Sequence, residues 1–115
     1  MNNSEYIDYV LDMLSSFGTM KFRKMFGAYG IYKDGVFFGI ISDSIVYFKV
    51  DDSSRPMYEL QGSKPLTFEK KDKTQVVMNS YWEVPVDIIE NRNNLELWVQ
   101  TAFEVARKTK KVTKK

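Results

Sequence analysis

Asp34-Gly35 is the feature that most restricts what this chain can become. The pair stands between two apolar, aromatic-rich runs, Met25–Tyr32 and Val36–Ile41. A two-residue Asp-Gly step takes the positive-φ turn that joins antiparallel strands without splaying them, so it predicts a β-hairpin. Gly27 and Gly30 lie inside the first run, where a glycine marks a bulge or a close backbone approach. A phosphate-cradling loop would need glycines ahead of a helix and a following Lys-Ser/Thr. Neither is present, so both glycines are read as strand geometry.

Helical and strand periods divide the rest of the chain. Tyr6, Ile7, Val10, Leu11, Leu14 and Phe17 recur at the spacing of one helical face, with Asp8, Asp12 and Ser15 on the other. A helix over about 4–17 follows, with Ser4 as N-cap and Gly18 as the C′ residue. Residues 25–32, 36–41 and 45–50 read as three strands of an antiparallel meander. The middle one is apolar on both faces, as in a strand covered on both sides. Asp51-Asp52-Ser53-Ser54 supplies N-cap candidates for a short helix with Pro56 in its first turn, which Gly62 ends. Residues 66–70 and 75–82 form a second strand pair about the turn Lys71-Asp72-Lys73, and residues 86–90 a helical turn. Asn93 or Asn94 then caps a last helix whose buried side carries Leu95, Trp98, Val99, Ala102, Phe103, Val105 and Ala106. The expected fold is α+β, a single domain of order α-β(3)-α-β(2)-α with a five-stranded antiparallel sheet packed by helices.

Composition narrows the chemistry. With 43% hydrophobic and 15% aromatic residues over 115 positions, the chain suits one folded domain. There is no cysteine and no histidine. Disulfides, thiolate nucleophiles, imidazole bases and the usual zinc ligand sets are therefore unavailable to it. No apolar run approaches the ~20 residues of a membrane span, and no signal peptide is expected at the start. The expected location is cytoplasmic, with no cofactor and no metal. The net charge of +2 conceals an asymmetry. Six of the 17 basic residues, and none of the 15 acidic ones, fall in 107–115; residues 1–106 keep 11 basic against 15 acidic, a net of −4. An acidic domain, 1–106, with a lysine-rich tail, 107–115, does not draw phosphate by its overall field.

The run Arg23-Lys24-Met25-Phe26-Gly27, Gly30-Ile31-Tyr32 and Asp34-Gly35 is followed about fifty residues later by Tyr81-Trp82-Glu83-Val84-Pro85. Phe38–Ile41, Tyr47–Asp51, Arg55, Gly62, Phe68 and Trp98 fall in order around them. Together they give the chain a resemblance to the N-terminal domain of the TfoX (Sxy) family of bacterial competence regulators, over about residues 5–106. The resemblance implies the same α-β(3)-α-β(2)-α arrangement. It also implies transcriptional activation of DNA-uptake genes in concert with the cyclic-AMP receptor protein. Full-length members of the family carry a second, helical domain after this one. No catalytic residues are implied.

The expected function is accordingly non-enzymatic: contact with a protein of the transcription machinery, or with a regulator of it, and self-association as a possible homodimer through the face of 36–41 or a strand edge. Tyr29, Tyr47, Tyr81 and Trp82 are the candidate contact rings, with Arg23 and Lys24 as rim charges. Core filling is the competing reading for those rings, and stacking on bases a third. The first alternative function is direct nucleic-acid binding through Arg107, Lys108, Lys110 and Lys111 together with Arg23-Lys24. The second is a small-molecule or enzymatic role in a pocket between sheet and helices. Asp34, Asp43, Asp51, Asp52 and Asp72 fall at turns, where Asp is a common capping residue, although Asp51-Asp52 also has the chemistry for a divalent cation. Glu69 and Glu83 are a conceivable acid–base couple.

Overall fold

A computed structural model describes residues 3–25 and 27–113, with side chains given for 5–24 and 27–109. In chain order the elements are α1 (Asn3–Ser15), β1 (Met20–Met25), β2 (Ala28–Lys33), β3 (Val36–Ser42) and β4 (Ile45–Lys49). They continue with α2 (Arg55–Leu60), β5 (Pro65–Glu69), β6 (Gln75–Glu83), α3 (Val86–Ile89) and α4 (Arg92–Thr113). The strands form one antiparallel sheet in the order β1-β2-β3-β4-β6-β5. The α+β class holds, but the sheet has six strands where five were expected.

The additional strand is β1. Met20 and Phe22 alternate with Lys21 and Arg23, and Met20 and Phe22 pack on the main core. Arg23 and Lys24, expected as rim charges, belong to this edge strand and are exposed on it, where basic side chains blunt further pairing. Gly27 (φ 80°) sits in the tight connection between β1 and β2, where Met25 pairs with Ala28, and is not a bulge inside a strand. Gly30 is buried within β2 opposite Arg23 and Ile40.

Asp34 and Gly35 both take positive φ, 50° and 81°, and Lys33 pairs with Val36 across them. Asp43 and Ser44 repeat this geometry at 53° and 64° between β3 and β4.

The bulge lies elsewhere. Tyr32 pairs with Phe37 and Ile31 with Gly39, so Phe38 is the extra residue in β3. The insertion shifts the alternation of the strand. Val36, Phe38 and Ile41 consequently join the main core while Phe37 and Ile40 join a second cluster. This explains why 36–41 is apolar on both faces.

All four helices contribute to the main core: Val10 and Leu14 from α1, Tyr58 from α2, Ile88 and Ile89 from α3, and Leu95, Trp98, Val99, Ala102 and Ala106 from α4. Removal of each buried Val, Leu or Ile side chain from water contributes on the order of 1.5–3 kcal/mol before entropy is counted. Asn91, rather than Asn93 or Asn94, caps α4. Its Oδ1 accepts from the Asn94 N–H at 3.1 Å, and its carbonyl from the Leu95 N–H at 2.8 Å. Asp51 organises the approach to α2, its Oδ1 accepting from the N–H groups of Ser53 and Ser54 at 3.0 Å each. The Ser4 cap expected for α1 involves a side chain outside those described. The last helix runs past Arg107 to Thr113. Among the described residues, no helix is long and apolar enough to cross a membrane.

Candidate contact face and rim pocket

The two faces of the sheet differ in what covers them. Val46 and Phe48 of β4 point to the helices, so Ile45, Tyr47 and Lys49 point away. Tyr47 is opposite Glu83 and Lys49 opposite Tyr81, which places Glu83 and Tyr81 on the same helix-free face. Tyr47, Leu66 and Tyr81 are the buried centre of a cluster there, with Phe37, Ile40, Ile45 and Met78 half-buried around them. Among the described residues, every member of this cluster belongs to a strand. Burial pushes the Tyr47 hydroxyl pKa up, with the nearby Glu83 and Asp43 carboxylates adding to the rise.

At one end of the face the rings form a row. Tyr32 and Phe37 lie 5.1 Å apart and Phe37 and Tyr81 5.9 Å apart, all tilted. The Lys49 ammonium stands 5.0 Å from the centre of the Tyr81 ring. Beside this row is a pocket of about 300 Å³, lined by Tyr32, Gly35, Val36, Phe37, Lys49, Tyr81, Ala106 and Thr109. Burial, and secondarily Tyr32, pushes the Tyr81 hydroxyl up to about 12. It remains a proton donor throughout the neutral range.

The TfoX N-terminal domain family matches residues 12–106, which takes in the entire sheet, the last turn of α1 and most of α4. The chain belongs to that family. At the family level it is a competence-related regulatory domain. Comparison with curated proteins returns no match.

In this TfoX-type domain the six residues expected to form a contact surface do not form one surface. Tyr47 and Tyr81 are on the helix-free face, though only 9% and 7% exposed. Trp82 is on the helix side at 8% exposure, and its indole N–H donates to the Asn79 carbonyl at 2.9 Å. Tyr29 packs half-buried against the same main core. Arg23 and Lys24 are both exposed, but they alternate along β1, Arg23 opposite Gly30 and Lys24 opposite Tyr29. The cluster residues that sequence reasoning did not single out are Phe37, Ile40, Ile45, Met78 and Leu66. The two-sided apolar run 36–41 carried the signal for the first two.

In the tail, Arg107 pairs with Glu104 through Nη2 at 2.6 Å, and Lys108 is exposed. Lys110 and Lys111 continue the helix, with side chains outside those described. Glu69 and Glu83 are not a couple: Glu69 pairs with Gln75 at one end of the nine-residue β6, and Glu83 is at the other. Among the described residues no three Asp or Glu side chains gather around a cation site, and the Asp51 carboxylate is engaged locally by Ser53 and Ser54.

Proposed function

We propose that this TfoX-type domain regulates transcription of DNA-uptake genes by binding another protein through the helix-free face of its sheet. The observation that carries this reading is the strand-only cluster. Four half-buried apolar side chains surround Tyr47, Leu66 and Tyr81 on a face to which, among the described residues, no helix contributes a core side chain. A half-buried apolar centre with aromatic anchors has the make-up of a protein interface. The absence of histidine and cysteine from the chain fits a binding role better than a catalytic one. The partner best supported by family membership is a transcription regulator such as the cyclic-AMP receptor protein.

The test pairs Ile40→Lys and Ile45→Lys with the control Val77→Lys on the exposed part of the β5–β6 hairpin. Expression of a DNA-uptake reporter and binding to purified cyclic-AMP receptor protein are measured after folding is checked by circular dichroism. The face variants are expected to lose both signals, and the control to keep them. Folded face variants that keep both would refute the reading.

A second reading, direct contact with nucleic acid, rests on the exposed lysines of the β5–β6 turn, among which Asp72 also stands, and on the basic residues late in α4. The residues of β6 ahead of Tyr81 extend beyond the Lys49 end of β4 and carry the turn with exposed Lys70, Lys71 and Lys73. Through Ala106 and Thr109, α4 reaches the same end, with Arg107 and Lys108 adjoining. Phosphate contact predicts steep salt dependence. Binding of duplex DNA that weakens with added salt and with Lys70→Gln/Lys71→Gln/Lys73→Gln would support it; no binding at low salt would remove it.

A further inference from the structure

We propose that the rim pocket beside Lys49 is a binding site for a small oxyanion carrying a flat ring, the ring lodged against Phe37 and Val36 and the oxyanion held by Lys49. This inference does not depend on the protein-contact reading. The pocket, at about 300 Å³, is at the lower end of the size range of small-ligand sites. Its walls combine aromatic and aliphatic surface from β2, β3 and β6 with the Ala106 side of α4, which suits a planar apolar body.

The polar complement is one-sided. Lys49 is the sole charged residue in the lining, and no Asp or Glu is part of it. Among the described residues Lys49 makes no ion pair; its ammonium rests on the Tyr81 ring. A half-buried ammonium whose neighbour is a π face keeps its charge available, and an incoming oxyanion would complete it. Tyr32 and Tyr81, each with a hydroxyl able to donate, belong to the same lining. A neutral or cationic ligand of the same shape gains none of this.

The test titrates the full chain, followed by amide NMR shifts, with four probes of one shape: phenylacetate, phenyl phosphate, phenylacetamide and phenethylamine. Saturable shifts at Gly35 and Val36 are expected with the two anions, and at least about tenfold weaker binding with the amide and the amine. The two anions distinguish a carboxylate from a phosphate headgroup. Lys49→Met, which keeps the stem of the side chain, is expected to abolish the preference for anions, Lys49→Arg to keep it, and Lys71→Met to leave it unchanged. Should Lys49→Met fail to fold, Thr109→Trp, at an exposed helix position, fills the same space from the α4 side and is expected to block every probe. Equal binding of all four probes, no saturable shift up to about 10 mM, anion preference intact in folded Lys49→Met, or undiminished anion binding in Thr109→Trp would each overturn the proposal.

Discussion

The rings of Tyr58 in α2 and Trp98 in α4 lie 4.4 Å apart at 60°, and this contact fastens the short helix to the long one. Tyr58 is 1% exposed although α2 is only six residues long, so α2 owes its stability to that burial and not to its own hydrogen bonds. Tyr58→Ala is expected to lower unfolding stability by about 3–5 kcal/mol, the range for removing a buried large ring. Urea denaturation measures it. Tyr58→Leu, which refills part of the space, should recover a substantial part of the loss.

Gly39 is required by a close approach. A Cβ there would stand 2.9 Å from the Tyr47 carbonyl oxygen and 3.1 Å from atoms of Ile31 and Phe48. The carbonyl belongs to a paired strand and cannot swing aside. Gly39→Ala is therefore expected to destabilise by about 1–3 kcal/mol, as overpacking does. A melting temperature equal to that of the unaltered chain would contradict the geometry.

Ser44 pays a backbone cost that glycine would not. It holds φ 64° in the β3–β4 turn, and its hydroxyl is buried without a hydrogen-bond partner among the described residues. Ser44→Gly turns Asp43-Ser44 into the Asp-Gly pair already found at 34–35. A gain of about 1 kcal/mol is expected, read as a higher denaturation midpoint with an unchanged slope.

Acid should weaken the approach to α2. The Ser53 hydroxyl, donating to Oδ1 at 2.7 Å, is the main influence holding the Asp51 carboxyl below its usual pKa; burial opposes it, and the Ser53 and Ser54 N–H groups assist. A carboxyl whose folded pKa is depressed stabilises the fold fully above its unfolded value of about 4. That contribution is lost as pH falls through the folded value. Asp51→Ala is expected to cost about 1 kcal/mol at pH 7, the worth of a capping side chain. The gap between the variant and the unaltered chain should then narrow below about pH 4. Urea titrations at several pH values give both numbers.

Much of the fold was legible before any tertiary contact was known. Asp34-Gly35 fixed its own hairpin because only a positive-φ pair joins twisted strands so tightly. The buried sides of α1 and α4 could be listed from spacing, because a helix packed on one side must repeat its apolar residues every three to four positions. β1 was harder to see, since an edge strand with three basic residues in six resembles a solvated loop when its partner is unknown.

The sequence by itself determined the class of fold, the family and the lack of imidazole and thiol groups, since these depend on local period, motif order and composition. Only the tertiary structure decided where the aromatics point. Tyr81 and Trp82 are adjacent in sequence and fall on opposite faces of the sheet, one in a strand-only cluster and the other in the helix-covered core. Alternation says that neighbours in a strand diverge, but not which side the helices will cover. Nor does sequence reveal the bulge at Phe38, which shifts the phase of β3 midway and sends Phe38 and Ile40 to different faces. Such an insertion is defined by the register of two strands at once, so it exists only after they have paired.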